Sequence, residues 1–149
     1  MTGATFVWTY KTFDELTKDE LYLFLKERSA IFVFEQQSPY HDIDGRDPDS
    51  IHISYIEDEE LLAYSRIFVT DNGNIRIGRV LVTEKSRGKG LARTLFRNAL
   101  TYCQEHYPEK AIELNSEEYI KDFYASFGFK EIADPYLDSG VIHVTMLLE

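Results

Sequence analysis

Short apolar runs bounded by turn residues predict strands along this chain. Seven such runs lie at 6–10, 51–56, 61–69, 75–83, 111–114, 129–132 and 141–148. Asn72 and Gly73 separate the third run from the fourth, and this dipeptide favours a tight hairpin because it tolerates positive φ. The third and fourth strands are therefore expected to pair antiparallel.

Apolar residues at helical spacing predict three helices, over 18–32, 91–106 and 117–127. The first follows a capping box, in which the Thr17 hydroxyl and the Glu20 carboxylate bind free amides of the helix start. Gly128 is expected to end the third helix as a C-cap. The order βαβββαβαββ predicts an α/β fold in a single domain, 1–149, with a mixed, mostly antiparallel sheet and helices on both faces.

A polar loop is predicted over 35–50, and it is long enough to indicate a function. Its carboxylates are Glu35, Asp42, Asp44, Asp47 and Asp49. Carboxylates at the mouth of a site would attract a cationic amine. The alternative is a solvated loop whose carboxylates cap turns or pair with Arg28 or Arg66. The loop lacks the spacing of an EF-hand, so no metal is expected.

Charge and cysteine content narrow the class of protein. Acidic residues outnumber Lys plus Arg by 26 to 16, and the net charge of −10 makes nucleic acid an unfavourable partner. Cys103 is the single cysteine, which excludes an internal disulfide and fits a reducing compartment. The chain starts without a basic segment, and no apolar run approaches the ~20 residues of a membrane span. We therefore expect a cytoplasmic protein with no membrane contact.

The loop between the fourth strand and the second helix combines basic residues with glycines. A helix start offers unpaired N–H groups and partial positive charge, and Gly88 and Gly90 leave that backbone open to an anion. Positive charge comes from Lys85, Arg87, Lys89 and Arg93. Together these features predict a diphosphate site. The spacing fits neither a P-loop nor a dinucleotide fingerprint, and a surface turn with solvated lysines remains the alternative.

Two motifs resemble the GNAT acetyltransferase superfamily. The run Arg87-Gly88-Lys89-Gly90-Leu91-Ala92 is similar to its Arg/Gln-x-x-Gly-x-Gly/Ala signature, and Phe123-Tyr124-Ala125-Ser126-Phe127-Gly128-Phe129 resembles its Phe-Tyr-x-x-x-Gly-Phe segment. Within this superfamily the chain resembles the ElaA-like branch, at residues 28–45, at His52, at the Gly78-Arg79-Val80 triplet and at residues 138–143.

The resemblance implies roles for residues around the basic loop. The backbone of Val80, Leu81 and Val82 would pair with the pantetheine amides of acetyl-CoA. The segment Arg87, Gly88, Lys89, Gly90, Leu91, Ala92 and Arg93 would hold the diphosphate. Tyr124 would be the general acid that assists departure of the CoA thiolate.

The general base is less well specified by the resemblance. Many family members carry a Glu on the strand before the loop, but 75–80 contains no carboxylate here. The candidates are Glu113, His52, Glu35 and His143, acting directly or through water. Glu35, Asp42, Asp44 and His143 are the expected acceptor-binding residues. The ElaA-like pattern usually has Gln where Glu117 stands, which leaves the role of Glu117 open.

The expected activity is transfer of an acetyl group from acetyl-CoA, as co-substrate, to a small amine or a peptide amine by direct attack. No metal and no acyl-enzyme on Cys103 are required. A homodimer is compatible with the sequence. Two alternatives stay open, a non-catalytic acyl-CoA-binding module and an acyltransferase that uses a longer acyl donor.

Overall fold

An eight-stranded sheet runs through the part of the chain that the computed structural model describes, residues 8–37 and 41–149. Its strands are β1 (Thr9–Thr12), β2 (Ile51–Glu57), β3 (Glu60–Val69), β4 (Ile75–Val82), β5 (Ile112–Glu117), β6 (Lys130–Glu131), β7 (Tyr136–Asp138) and β8 (Val141–Leu148). Their order is β1-β2-β3-β4-β5-β8-β6, and β7 also pairs with β8. Among the described strands every pair is antiparallel except β4 with β5. The predicted mixed, mostly antiparallel sheet is confirmed.

Three α-helices accompany the sheet, α1 (Lys18–Arg28), α2 (Leu91–His106) and α3 (Lys121–Ala125). The capping box of α1 is formed, because Thr17 Oγ1 accepts from the Glu20 amide at 3.0 Å and the Glu20 carboxylate accepts from the Thr17 amide at 2.8 Å. A π-helical segment, Ser29–Glu35, continues α1. Within the described ranges no helix is long and apolar enough to cross a bilayer.

The two long helices pack on opposite faces of the sheet. On one face Phe24 of α1 joins a core cluster with Leu61, Tyr64 and Leu81. On the other face α2 contributes to a larger cluster; its buried members include Leu95, Phe96, Ala99 and Cys103 from the helix and Ala63, Ile67 and Ile77 from the sheet. Successive side chains of a strand point to opposite faces, so β3 supplies residues to both clusters. The predicted helices on both faces are thus confirmed.

Several elements differ from the sequence prediction, and α1 ends at Arg28 instead of residue 32. The first strand begins at Thr9, and residues 6 and 7 of the predicted strand lie outside the described residues. The predicted helix over 117–127 is wrong for its first turn, because Glu117 still pairs with His143 in the β5–β8 ladder and a 3₁₀ turn precedes α3. Strand β7 was not predicted; its three residues are held by pairing with β8.

Candidate functional site

A cleft opens where β4 and β5 diverge. The parallel pairing of these strands holds only at Ile75 with Ile112 and at Arg76 with Glu113. Beyond these pairs β4 continues to pair with β3, and β5 pairs with β8. The edge of β4 that faces the cleft therefore has no strand partner, and the gap holds a cavity of about 200 Å³. Such an edge can pair with an extended ligand that carries amides.

A β-bulge in β4 shapes the wall of this cleft. Tyr64 pairs with Leu81 and Arg66 with Gly78, so two residues of β4 lie opposite one residue of β3. Arg79 occupies the bulge with a φ of +53°, a left-handed conformation that is uncommon for a residue with a side chain. Bulges re-aim side chains, and here the Arg79 side chain lines the cleft and reaches the acidic loop.

The loop before α2 has the geometry that an anion site requires. Gly88 and Gly90 have φ of +81° and +79°, and a Cβ atom placed on either would meet no atom within 4 Å. The Thr94 amide donates to the Gly90 carbonyl at 3.2 Å. Across the described residues, the amides from Gly88 to Arg93 have no acceptor. This open row of N–H groups at a helix start fits a diphosphate.

Two of the basic side chains that were predicted to bind the diphosphate, Arg87 and Arg93, contact other parts of the protein. The Arg87 guanidinium donates to the Glu35 carboxylate at 3.0 and 3.1 Å and to the Val82 carbonyl at 3.0 Å. Arg93 lies over the Phe127 ring, 5.0 Å from its centroid. Glu35 is therefore the counter-ion of Arg87 rather than a residue that lines the cleft. Lys85, Lys89 and Arg93 are exposed and form no ion pair among the described residues.

The three predicted pantetheine contacts lie along the open edge of β4. Val80 lines the cleft, whereas the Leu81 side chain is buried in the α1 cluster and Val82 packs against the α2 cluster. The Leu81 and Val82 side chains pack in the core, whereas the backbone N–H and C=O groups of this edge are available to a ligand in the cleft.

Tyr124 lies at the cleft with an unengaged hydroxyl. Its ring packs edge-on against Phe96 at 5.0 Å, and only 6% of the residue is exposed. The hydroxyl makes no hydrogen bond within the described part of the chain. Burial raises the pKa of Tyr124, and the charge of Glu117 raises it further. The phenol therefore stays protonated at neutral pH and can act as a proton donor.

The candidate base His52 lies away from the cleft. His52 is fully buried on β2, with Nδ1 at 2.6 Å from the Tyr64 hydroxyl and Nε2 at 3.0 Å from the Asp47 carbonyl. Burial lowers the pKa of His52, although the hydrogen bond to Asp47 opposes the shift. Because β3 separates β2 from the cleft and both ring nitrogens are engaged, the structure does not support the predicted catalytic role of His52.

Glu113 lies at the closed end of the cleft, where β4 and β5 are still paired. Its carboxylate binds the Arg76 guanidinium and accepts from Asn74 at 3.0 Å. Burial alone would raise the pKa of Glu113, but these hydrogen bonds and the charge of Arg76 lower it. A carboxylate already neutralised by an arginine is a weak proton acceptor, so the geometry does not support Glu113 as the base either.

The carboxylates of the acidic loop are paired with arginines. Asp42 binds the fully buried Arg28 at 3.0 Å and Arg79 at 2.9 Å, and Asp44 binds Arg66. Burial opposes ionisation of Asp44, but hydrogen bonds and the charges of Arg66 and Arg79 lower its pKa well below its usual range. The expected acidic mouth is thus a neutralised ion-pair cluster, as in the alternative reading of this loop. Asp44 lines the cleft, whereas Asp42 is buried and stabilises the loop through its ion pairs with Arg28 and Arg79.

Four residues that are distant in the sequence, Gln36, Glu117, Tyr136 and His143, meet at the cleft, and the sequence did not predict that they share one site. Gln36, at the end of the π-helical segment, donates to the Glu117 carboxylate at 3.3 Å. Tyr136 of β7 stacks on His143 of β8, and all four line the cleft. Of these only His143 was a predicted site residue. The available signal was the identity of residue 117, since the ElaA-like pattern usually has Gln where Glu117 stands.

Among the described residues no group of three or more His, Cys, Asp or Glu is arranged to hold a metal ion.

Comparisons with known proteins agree with this architecture. A family model described as "Acetyltransferase (GNAT) domain" matches residues 14–149. Protein ElaA of Escherichia coli (strain K12) is 38% identical over 146 residues, which cover 95% of each chain. The crystal structure of Escherichia coli ElaA superposes with a TM-score of 0.90 at 37% identity, over 96% of this chain and 99% of that one. An acyl-CoA N-acyltransferase from Pseudomonas aeruginosa gives a TM-score of 0.91 at 33% identity, over 96% and 99%.

These matches extend over nearly the whole chain and include the loop, the divergent strands and Tyr124. One of these structural neighbours is described as an acyl-CoA N-acyltransferase, so the chain shares its fold with a protein of that class. The chain therefore belongs to the GNAT acetyltransferase superfamily, in its ElaA-like branch.

Proposed function

We propose that this protein transfers the acetyl group of acetyl-CoA to a primary amine by direct attack, with Tyr124 as the general acid. The divergence of β4 from β5 carries the proposal. It leaves an unpaired edge of β4 and an unengaged phenol at one cleft. The same strand leads through residues 83–87 to the open amides at the start of α2. The acceptor is a small amine or a peptide amine, and a homodimer stays a prediction.

The chain would bind the co-substrate mainly through its backbone. The amides from Gly88 to Arg93 would donate to the diphosphate, and the edge of β4 around Val80 would pair with the pantetheine amides. Arg87 donates to the Val82 carbonyl and to Glu35, so it must turn aside wherever the pantetheine uses that carbonyl. Backbone pairing fixes the depth to which the acyl end enters the cleft.

Tyr124 would act at the leaving sulfur. As the amine attacks the thioester carbonyl, the C–S bond weakens and negative charge develops on sulfur, which a phenol at hydrogen-bond distance stabilises and protonates. The packing of its ring against Phe96 and Phe123 holds the phenol in place without using its hydroxyl. The acceptor would enter from the side of the cleft where Gln36 and Tyr136 lie.

Substitution of Tyr124 by Phe tests this proposal. The hydroxyl has no protein partner among the described residues, so Tyr124→Phe should leave the thermal midpoint and the affinity for CoA unchanged. Release of CoA, followed with a thiol reagent and a panel of primary amines, should fall by about 10²-fold or more. Cys103 is buried, and burial raises its pKa to about 12, so the native protein should not react with the reagent.

Tyr64→Phe is the matched control, because the Tyr64 hydroxyl is buried beside His52 on the other face of the sheet. It should lower the thermal midpoint and leave turnover by the folded protein unchanged. Unchanged turnover in Tyr124→Phe would refute the acid role.

The two alternatives give different results in the same assays. A binding module would bind CoA but release none from acetyl-CoA with any amine. An acyltransferase for longer chains would be stabilised more strongly by longer acyl-CoAs, and its thermal midpoint would rise with acyl length. The proposed function requires turnover with acetyl-CoA and no such rise.

A further inference from the structure

Glu117 and His143 face each other on the acceptor side of the cleft. They are directly paired in the antiparallel β5–β8 ladder, so their side chains lie on the same face of the sheet as neighbours. Both are half-buried and both line the cleft. No ion pair or hydrogen bond of the described structure joins the two side chains, and both border the same cavity.

Glu117 differs from the other carboxylates considered for this site. The described structure pairs each of those with an arginine: Glu35 with Arg87, Asp42 with Arg28, Asp44 with Arg66 and Glu113 with Arg76. The Glu117 carboxylate receives only the neutral amide of Gln36 and has no cationic partner among the described residues. A half-buried carboxylate without a counter-ion favours a cationic ligand. Glu117 and Tyr124 line the same cleft, so the carboxylate lies on the side of the proposed leaving group.

His143 is held in the tautomer that can accept a proton from the cleft. Its Nδ1 lies 2.9 Å from the Val141 carbonyl, and a carbonyl only accepts hydrogen bonds. Nδ1 therefore carries the proton, and Nε2 of the neutral ring, which binds no donor among residues 8–37 and 41–149, has a free lone pair. Stacking on Tyr136, with the rings 5.8 Å apart and inclined by 25°, fixes the orientation of the imidazole. Imidazole is the usual side chain for proton transfer near neutral pH.

We propose that Glu117 is the counter-ion of a protonated primary amine and that His143 Nε2 removes the proton from this ammonium before attack. This inference rests on the proposed acetyl transfer. It defines the acceptor as an amine that is cationic at neutral pH, and it makes His143 a catalytic residue and Glu117 the residue that binds the ammonium.

The proton transfers balance over the reaction. The ammonium gives one proton to His143 Nε2, and the neutral amine forms the N–C bond with the thioester carbonyl carbon. The C–S bond then breaks, the thiolate takes a proton from Tyr124, and the amide nitrogen loses its second proton, which restores the phenol directly or through water. His143 returns its proton to solvent. The products are the N-acetylated amine, CoA with a free thiol, and one released proton.

The test compares His143→Gln and Glu117→Gln with matched controls in steady-state assays of CoA release. His106→Gln is the control for the imidazole, because His106 Nδ1 also bonds a backbone carbonyl but lies exposed at the end of α2. Glu118→Gln is the control for the carboxylate, since Glu118 is exposed in the adjacent turn. Asp138→Asn is the competing variant, because Asp138 also lines the cleft and has no cationic partner among the described residues.

His143→Gln should lower kcat/KM by about 10²-fold or more at neutral pH and remove the acidic limb of the pH profile. The charged and titratable groups that face His143 are Glu117 from β5, Tyr136 and Asp138 from β7, and Tyr124 from α3. Glu117→Gln should raise KM for the amine by about tenfold, the loss of ~1.4 kcal/mol, with a smaller change in kcat. Both variants should keep the affinity for CoA in calorimetry, which a merely structural role would not predict.

Each contrary result has a distinct meaning. A His143→Gln variant that keeps its acidic limb, or that loses CoA affinity in parallel with turnover, overturns the base assignment while a defect in Tyr124→Phe still supports acetyl transfer. A rise in KM for Asp138→Asn instead of Glu117→Gln overturns the counter-ion assignment. Absence of CoA release by the unmodified protein with every amine overturns the proposed function and this inference together.

Discussion

Replacement of Arg28 by Met should destabilise the protein strongly, although Arg28 lies outside the cleft. The Arg28 side chain is fully buried, and its guanidinium donates to the carboxylates of Asp42 and Asp47 and to the Asp42 carbonyl. Methionine fills a similar volume but leaves these buried acceptors without their donor. Removal of one partner of a buried ion pair costs about 3–5 kcal/mol. Asp42 keeps Arg79 and Asp47 keeps Arg66, which favours the lower end of this range.

The expected effect can be measured as a thermal midpoint. For a domain of this size each kcal/mol shifts the midpoint by about 2–4 °C, so ~3 kcal/mol corresponds to a fall of about 6–12 °C. Lys121→Met is the control, because the Lys121–Glu131 pair, at 3.3 Å, is partly exposed on both sides. Such pairs contribute no more than about 1 kcal/mol.

The same variant should also affect the cleft locally. Amide hydrogen exchange should increase first in the loop around Asp42 and Asp44, since Arg28 is what ties this loop to α1. A midpoint that falls no further than in Lys121→Met would refute the conclusion that the ion-pair cluster stabilises the fold. Faster exchange spread evenly over the sheet would refute the local role.

Two other predictions follow from the same structure. Burial opposes ionisation of Asp44 and Asp47, but hydrogen bonds and charges from arginines outweigh it and lower the pKa of both carboxyls. The stability that these groups contribute is therefore present above the pKa of an unfolded carboxyl and is lost as the pH falls below about 4. Urea midpoints measured between neutral and acid pH should show this loss, Asp44→Asn should make it shallower, and an unchanged acid dependence in that variant would contradict the assignment. Gly90→Ala should cost about 1–2 kcal/mol of stability, because Gly90 has a φ of +79°, and it should weaken CoA binding about tenfold in calorimetry, because the added Cβ would enter the space expected for the diphosphate. The control Gly73→Ala, at a φ of +90° in the β3–β4 hairpin turn, should lose similar stability and no affinity for CoA. Equal loss of affinity in both variants would exclude a specific contact at Gly90.

Local hydrogen bonding explains which features could be predicted from the sequence. The capping box at Thr17, the turn at Gly73 and the glycine-opened start of α2 each depend on a few consecutive residues, and all three are formed as predicted. The same holds for most strand ranges, because apolar side chains must be buried wherever they lie.

Features that depend on long-range pairing were predicted less well. Local propensity favoured a helix at Glu117, but pairing with His143 keeps it in a strand. His52 had suitable chemistry, but β2 lies too far from the cleft, and Glu113 lies where the strands are still closed.

The sequence by itself determined the family, most of the order of the elements and the two local motifs from which a co-substrate site is proposed, because these depend on consecutive residues. The tertiary structure decided which carboxylates are neutralised by Arg28, Arg66 and Arg79, and it leaves Glu117 without a cationic partner among the described residues. Strand order and register set those distances between residues far apart in the chain. The electrostatic character of the cleft is therefore a property of the folded sheet and not of any segment of the sequence.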